Sequence, residues 1–269
     1  MPKNPFEEIS SAKNPRVREV VLLREKKSRH QKEWILVEGF REISRALEAG
    51  VHFQELFFCD DFLDKGRKRD FIKRLPSQTK LFKITREVFL KICFGGRKEG
   101  LIGICRRPGL PLESVRLSNL PLVVVVEGLE KPGNLGAILR ICDGAGAELV
   151  MVCDRLADIY NPNVIRASLG TVFSLKVAEV SNDAALDFLK NNGIQILATL
   201  PQADVLYNEA KLNRPVAIVL GSEEKGLSEF WKSRSDLAVK IPMRGQADSL
   251  NVSATAAIVI YETLRQRTG

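Results

Sequence analysis

The feature that most constrains this chain is a series of short, almost wholly apolar segments in its second half, at residues 122–126, 149–153, 172–177, 194–199, 216–220 and 237–241, most of them separated by helical stretches. A strand buried on both faces has no polar side to display, so such segments alternating with helices predict a parallel sheet covered by helices on both faces. Ligands in folds of this kind sit in the crevice at the carboxyl ends of the strands, which directs attention to the loops that follow these segments. At 269 residues the chain has room for two domains, since one domain takes roughly 100–200 residues.

The first half alternates less regularly. Residues 5–33 read as a basic helical segment, with Val17, Val20, Val21 and Leu23 on one side and Lys13, Arg16, Arg18, Arg24, Lys26, Lys27, Arg29 and Lys32 exposed. Strands are expected at 34–37, 55–59, 81–84 and 101–105, and helices at 41–49, 70–75 and 86–93. Pro108, Gly109 and Pro111 interrupt the periodicity. The expected organisation is therefore α/β throughout: a small basic domain at 1–106, a linker at 107–119, and the parallel-sheet domain at 120–269.

Charge divides along the same line. Residues 1–116 carry 26 Lys and Arg against 16 Asp and Glu, whereas residues 117–269 carry 15 against 17. A basic excess confined to one domain suits a module that faces a polyphosphate, because attraction and counterion release scale with the phosphates neutralised. Lys13, Arg16, Arg24, Arg29 and Arg41 are the candidate contacts to such a polyphosphate.

The apolar runs are far shorter than the roughly 18 residues a membrane helix needs. The N-terminus lacks an apolar signal core and carries Glu7 and Glu8, so a cytoplasmic protein is expected, with no membrane partner. Cys59, Cys93, Cys105, Cys142 and Cys153 are odd in number, form no CxxC pair and lie among apolar neighbours, which predicts free buried thiols. With only His30 and His52 besides, and neither at ligand spacing, no metal site is expected.

Three loops of the second half carry polar residues in specific spacing. After the first strand stands Asn134-Leu-Gly136-Ala-Ile-Leu-Arg140, where Asn134 is placed to cap a helix and Arg140 projects six residues on. The Gly-rich dinucleotide spacing is missing there. After the strand at 216–220 comes Gly221-Ser-Glu223-Glu-Lys-Gly226, which lacks the Lys-Ser/Thr of a phosphate-cradling loop but suits close backbone approach to a ligand. The strand at 237–241 runs into Ile241-Pro-Met243-Arg-Gly-Gln-Ala-Asp-Ser249-Leu250-Asn251-Val-Ser, and a long helix is expected to begin around Ser249 as N-cap. That helix is apolar on most sides, as burial within a large core or against a second subunit would require, and the second subunit is favoured.

In this order, NxGAxxR, GSExxG and IPMxGxxxSLNVSxAxA over residues 122–262 closely resemble the three motifs of the SpoU (TrmH-like) family of S-adenosylmethionine-dependent RNA ribose 2′-O-methyltransferases. The segment Asn161-Pro-Asn-Val-Ile-Arg-Ala-Ser-Leu-Gly170 also looks like that family. Val37-Glu38-Gly39 with Arg41 and the helix after it is similar to the family's auxiliary substrate-binding domain, a ribosomal-protein-like α/β fold. Two departures, Ile141-Cys142 and Glu224, remove none of the matching polar groups.

The resemblance implies a C-terminal trefoil knot, a homodimer, and a cofactor pocket built from loops at 199–201, 220–226 and 241–251. Thr199, Leu200, Gly221, Gly226, Ile241, Met243 and Leu250 would contact S-adenosylmethionine there. Asn134, Arg140, Glu223, Ser249 and Asn251 match the catalytic positions. A guanidinium is not deprotonated in proteins, so Arg140 is expected to act as a fixed cation, with Glu223 orienting Arg140 or Asn134. The implied substrate is structured RNA, ribosomal RNA of the large subunit ahead of transfer RNA. A non-catalytic RNA-binding assembly factor and a resistance-conferring ribosomal methyltransferase are the other readings.

Overall fold

The computed structural model describes residues 6–63, 66, 71–72, 74–96, 98–154 and 156–268. Contacts group the chain into two compact units: residues 1–108 together with 160–174, and residues 109–159 together with 175–269.

The first unit is a five-stranded mixed sheet in the order β1-β4-β3-β5-β2, with β1 at Phe6–Ile9, β2 at Trp34–Glu38, β3 at Phe53–Phe58, β4 at Lys80–Ile84 and β5 at Leu101–Arg106. Helices α1 (Pro15–Leu22), α2 (Lys26–Lys32), α3 (Phe40–Glu48) and α4 (Arg86–Ile92) accompany it. The stretch expected to be one basic helix is thus a strand and two short helices. Asn14 accepts the Arg16 N–H at 2.8 Å and Pro15 opens α1, so the helix cannot extend back through residues 6–9. The helix expected at 70–75 lies partly outside the described residues.

Arg24 and Arg29 correct the expectation of exposed cations. Arg29 is fully buried, donating from Nη1 to the carbonyls of Leu23 and Arg24 at 3.0 and 2.6 Å. Arg24 donates from Nη2 to the carbonyls of Lys91 and Cys93. Both guanidiniums satisfy carbonyls that helix ends leave without partners. Arg16 is held by Glu55 and Glu19, whereas Lys13 and Arg41 are exposed.

A further helix-bearing segment joins this unit from far along the chain. Residues 160–174 include the short helix at Pro162–Ala167, which packs on β2, and Leu169, whose carbonyl accepts from Arg45 Nη1 at 2.7 Å. Gly170, at φ +84°, lies so close to α3 that an added Cβ would meet Glu42 Cα at 3.0 Å. The expected division at 107–119 therefore differs from the contact grouping by this excursion.

The second unit is a seven-stranded sheet, parallel throughout, in the order β10-β12-β9-β11-β6-β7-β8. Its strands are β6 (Leu122–Glu127), β7 (Leu149–Cys153), β8 (Val177–Glu179), β9 (Gln195–Thr199), β10 (Val205–Leu206), β11 (Val216–Leu220) and β12 (Leu237–Lys240). Every residue of β6, β7 and β11 is buried, the reason their sequences show no polar alternation. Residues 172–175, expected to be strand, are turns, and the strand itself is only three residues long. Counting Pro162–Ala167 as α6, the remaining helices are α5 (Pro132–Gly144), α7 (Asn182–Asn191), α8 (Glu229–Arg234) and α9 (Val252–Thr268).

All five cysteines are buried and free, as expected. Among the described residues no helix is long and apolar enough to cross a membrane, and no group of three or more His, Cys, Asp or Glu is placed to hold a metal ion.

Candidate active site

Four neighbouring strands, β12, β9, β11 and β6, bring the loops after their carboxyl ends to one edge of the second unit's sheet. The loop after β11 folds back on itself, with Ser222 and Gly226 exchanging backbone hydrogen bonds at 3.2 and 3.0 Å. That hairpin passes so close to Gly221 that a Cβ there would lie 2.2 Å from the Gly226 carbonyl carbon. Position 221 therefore excludes any side chain.

Between this hairpin, the loop after β9 and the loop after β12 lies a cavity of about 370 Å³. Thr199, Leu200, Gly221, Gly226, Ile241, Met243 and Leu250 all line it, as do Glu223 and Ser249. Sequence reasoning missed the floor, made by Leu227, Val239, Val252 and Val259. These are buried residues of β12, α9 and the hairpin's end, indistinguishable in sequence from ordinary core. Thr199 Oγ1 donates to the Val219 carbonyl at 3.0 Å, which clamps β9 to β11 beside the cavity.

A chain of side-chain hydrogen bonds runs to the cavity wall. Ser253 Oγ donates to Asn251 Oδ1 at 2.7 Å, Asn251 Nδ2 donates to Asn134 Oδ1 at 3.4 Å, and Asn134 Nδ2 donates to Glu223 Oε1. Three loops are thereby linked to one carboxylate. Two local expectations change. Asn134 is the third residue of α5, whose start is set by Pro132, so its amide reaches across to Glu223 instead of capping. Asn251, not Ser249, caps α9, accepting the Ser253 N–H at 2.9 Å.

Glu127, the last residue of β6, was not among the residues the sequence singled out. It is 3% exposed, and it accepts the Ser228 N–H and hydroxyl at 2.8 and 2.7 Å and the Asn182 amide at 2.9 Å. Asn182 in turn accepts from the buried Trp231 indole at 2.8 Å. The available signal was an acid closing an otherwise apolar strand, since a buried carboxylate must be hydrogen-bonded. Arg140 stands apart: it is exposed on α5 and makes no hydrogen bond or ion pair among the described residues.

A family model described as the SpoU rRNA Methylase family matches residues 121–261, and one described as an MRM3-like substrate binding domain matches residues 14–103. The chain belongs to the SpoU rRNA methylase family. Within that family it is 27% identical over 260 residues to the Bacillus subtilis 23S rRNA (guanosine(2553)-2′-O)-methyltransferase RlmP, covering 95% of this chain and 98% of that one. A crystal structure of an RNA 2′-O ribose methyltransferase superposes with a TM-score of 0.85 at 42% identity, over 97% of this chain and 99% of the other. The SpoU methyltransferase AviRb from Streptomyces viridochromogenes, in complex with AdoMet, superposes with a TM-score of 0.88 at 26% identity, over 95% and 98% of the two chains.

Proposed function

We propose that this protein transfers a methyl group from S-adenosylmethionine to a ribose 2′-hydroxyl of large-subunit ribosomal RNA. The observation that carries the reading is the cavity whose wall includes Glu223, tied through Asn134 to Asn251, in a chain of the SpoU family. The residues fit the cofactor. An apolar slot of Leu200, Ile241, Leu227 and Leu250 suits a flat adenine, and the bare backbone at Gly221 permits contact that a Cβ would block.

Bound S-adenosylmethionine supplies an electrophilic methyl on a sulfonium that departs as a neutral thioether, so no general acid is required. What the chain provides is alignment and charge. Glu223 fixes Asn134, and the Asn134–Asn251 contact holds the start of α9 beside the cavity. Arg140 stays protonated and uses its free guanidinium for the phosphate next to the target ribose and for charge developing on the 2′-oxygen. The hydroxyl proton leaves to that phosphate or to water.

The knotted path and the homodimer belong to the same proposal. Exposure of Met243 and Leu250 in the loop before α9, and of Tyr261 on α9, supports a second copy there, and Arg140, apart from the Glu223 chain, suits a site completed by that copy. Ribosomal RNA as substrate supports a cytoplasmic protein. The test is calorimetric binding of S-adenosylmethionine followed by transfer of label to unmodified transcripts of large-subunit rRNA and of tRNA. Binding with label on the rRNA alone is expected; label on the tRNA alone would overturn the substrate assignment.

A further inference from the structure

The first unit contains a second cavity, of about 690 Å³, at the end of the sheet where β2, β3 and β4 begin. Its wall includes Trp34, Gln54, Gln78, Lys32 and Lys80. We propose that it is a nucleobase subsite, in which Trp34 stacks the base of a single-stranded nucleotide of the RNA substrate and the Gln54 amide binds the base edge. The inference rests on the reading of the protein as an RNA enzyme and names where that RNA is gripped.

Four observations converge. Trp34 is half-buried, packed on the core yet open to the cavity, whereas Trp231 is fully buried. A base presents a π-face to such a ring whatever its identity, and unpaired RNA is gripped in this way. The β3–β5 register shifts between Phe53 and Glu55, so Gln54 is the extra residue of a β-bulge. Bulges re-aim side chains, and Gln54 Oε1 is buried with no hydrogen-bond partner among the described residues. An orphan buried acceptor costs stability that a donor such as a base N–H restores.

Charge at the rim is suited to a phosphate backbone. The two carboxylates of the cavity, Glu19 and Glu55, are both held by Arg16. Lys32 and Lys80 are exposed and form no ion pair among the described residues. The bulge fits the same arrangement: the Phe53 ring covers Gly103, where a Cβ would come within 2.5 Å of it, and Gln54 lines the cavity.

The test is titration of intrinsic tryptophan fluorescence in the full-length protein with a single-stranded ten-nucleotide RNA and, separately, with AMP, Trp231 supplying a constant buried background. Quenching by the oligonucleotide at concentrations where AMP is silent is expected, and it should vanish in Trp34→Phe, which keeps a stacking ring. Gln54→Leu, of similar shape, should raise the KM for rRNA about tenfold while kcat at saturating RNA stays unchanged. A wild-type KM in both Gln54→Leu and Trp34→Ala, or AMP binding as tightly as the oligonucleotide, overturns the subsite. Quenching by RNA in a wild-type protein that methylates no RNA overturns the proposed function while upholding the subsite.

Discussion

Glu127 and Ser228 are 101 residues apart in sequence, yet the Glu127 carboxylate accepts both the backbone N–H and the hydroxyl of Ser228, joining the end of β6 to the end of the loop that carries Glu223. With Asn182 on the same carboxylate, three donors depend on one buried acid. Replacing it with alanine strands them, at about 1–3 kcal/mol per unsatisfied buried group. Glu127→Ala is expected to lower the thermal midpoint by several degrees and to weaken S-adenosylmethionine binding, while Glu127→Gln retains part of both. Calorimetry on the pair checks this; an unchanged midpoint in Glu127→Ala would show that the carboxylate carries no structural load.

Gly221 makes a sharper demand, because the obstacle is backbone. Gly221→Ala forces the 221–226 hairpin to open. The variant is expected to fold with a near-normal circular dichroism spectrum and to lose cofactor affinity at least tenfold. Gly133, at which an added Cβ meets nothing within 4 Å, supplies the control: Gly133→Ala leaves affinity unchanged.

Asn134 and Asn251 are hydrogen-bonded toward Glu223 and do not line the apolar slot. Asn134→Ala is expected to leave the S-adenosylmethionine Kd within about threefold and to cut kcat by about 10²-fold, the scale of lost alignment. Asn134→Asp places a carboxylate against Glu223 and should fall lower still, with partial recovery as pH drops and one acid protonates. Single-turnover rates across pH separate the two variants.

The thiols offer a chemical probe of burial. Burial, with smaller contributions from Glu127 and Asp154, pushes Cys153 up to about 12, and burial alone drives Cys105 higher still. Their thiolate fraction at pH 8 is negligible, so native protein should resist iodoacetamide at Cys105, Cys142 and Cys153, while denatured protein labels at five sites. Mass spectrometry of the alkylated peptides reads the outcome.

The central strands of the second unit were legible because both faces of β6, β7 and β11 are buried, leaving apolar runs that a helix surface would not tolerate. The edge strands β1 and β10 were not. β1 is Phe-Glu-Glu-Ile with three of its four residues exposed, and β10 has two residues, so neither carries a pattern. The destination of residues 160–174 was equally hidden, since a six-residue helix with three buried apolar groups does not say which core receives it.

Within the site, the cofactor loops could be read from Gly, Pro and polar residues following apolar strands, but the partners could not. Ser249 and Asn251 are both good caps, and only the chain path decides between them. Arginine in a basic stretch reads as surface, yet Arg29 is buried because helix-end carbonyls converge on it from residues five and six positions back. Glu127 escaped notice because one acid at a strand end is common, and its three donors come from distant segments.

The most direct measurement is the chemical identity of the methylated nucleotide. After incubation with radiolabelled S-adenosylmethionine and an unmodified large-subunit rRNA transcript, alkaline hydrolysis should leave the label in alkali-resistant dinucleotides, because a 2′-O-methyl group blocks cleavage of the neighbouring phosphodiester, and Arg140→Ala should abolish the signal. Label released as an alkali-sensitive mononucleotide would mean methylation of a base, and would contradict the account.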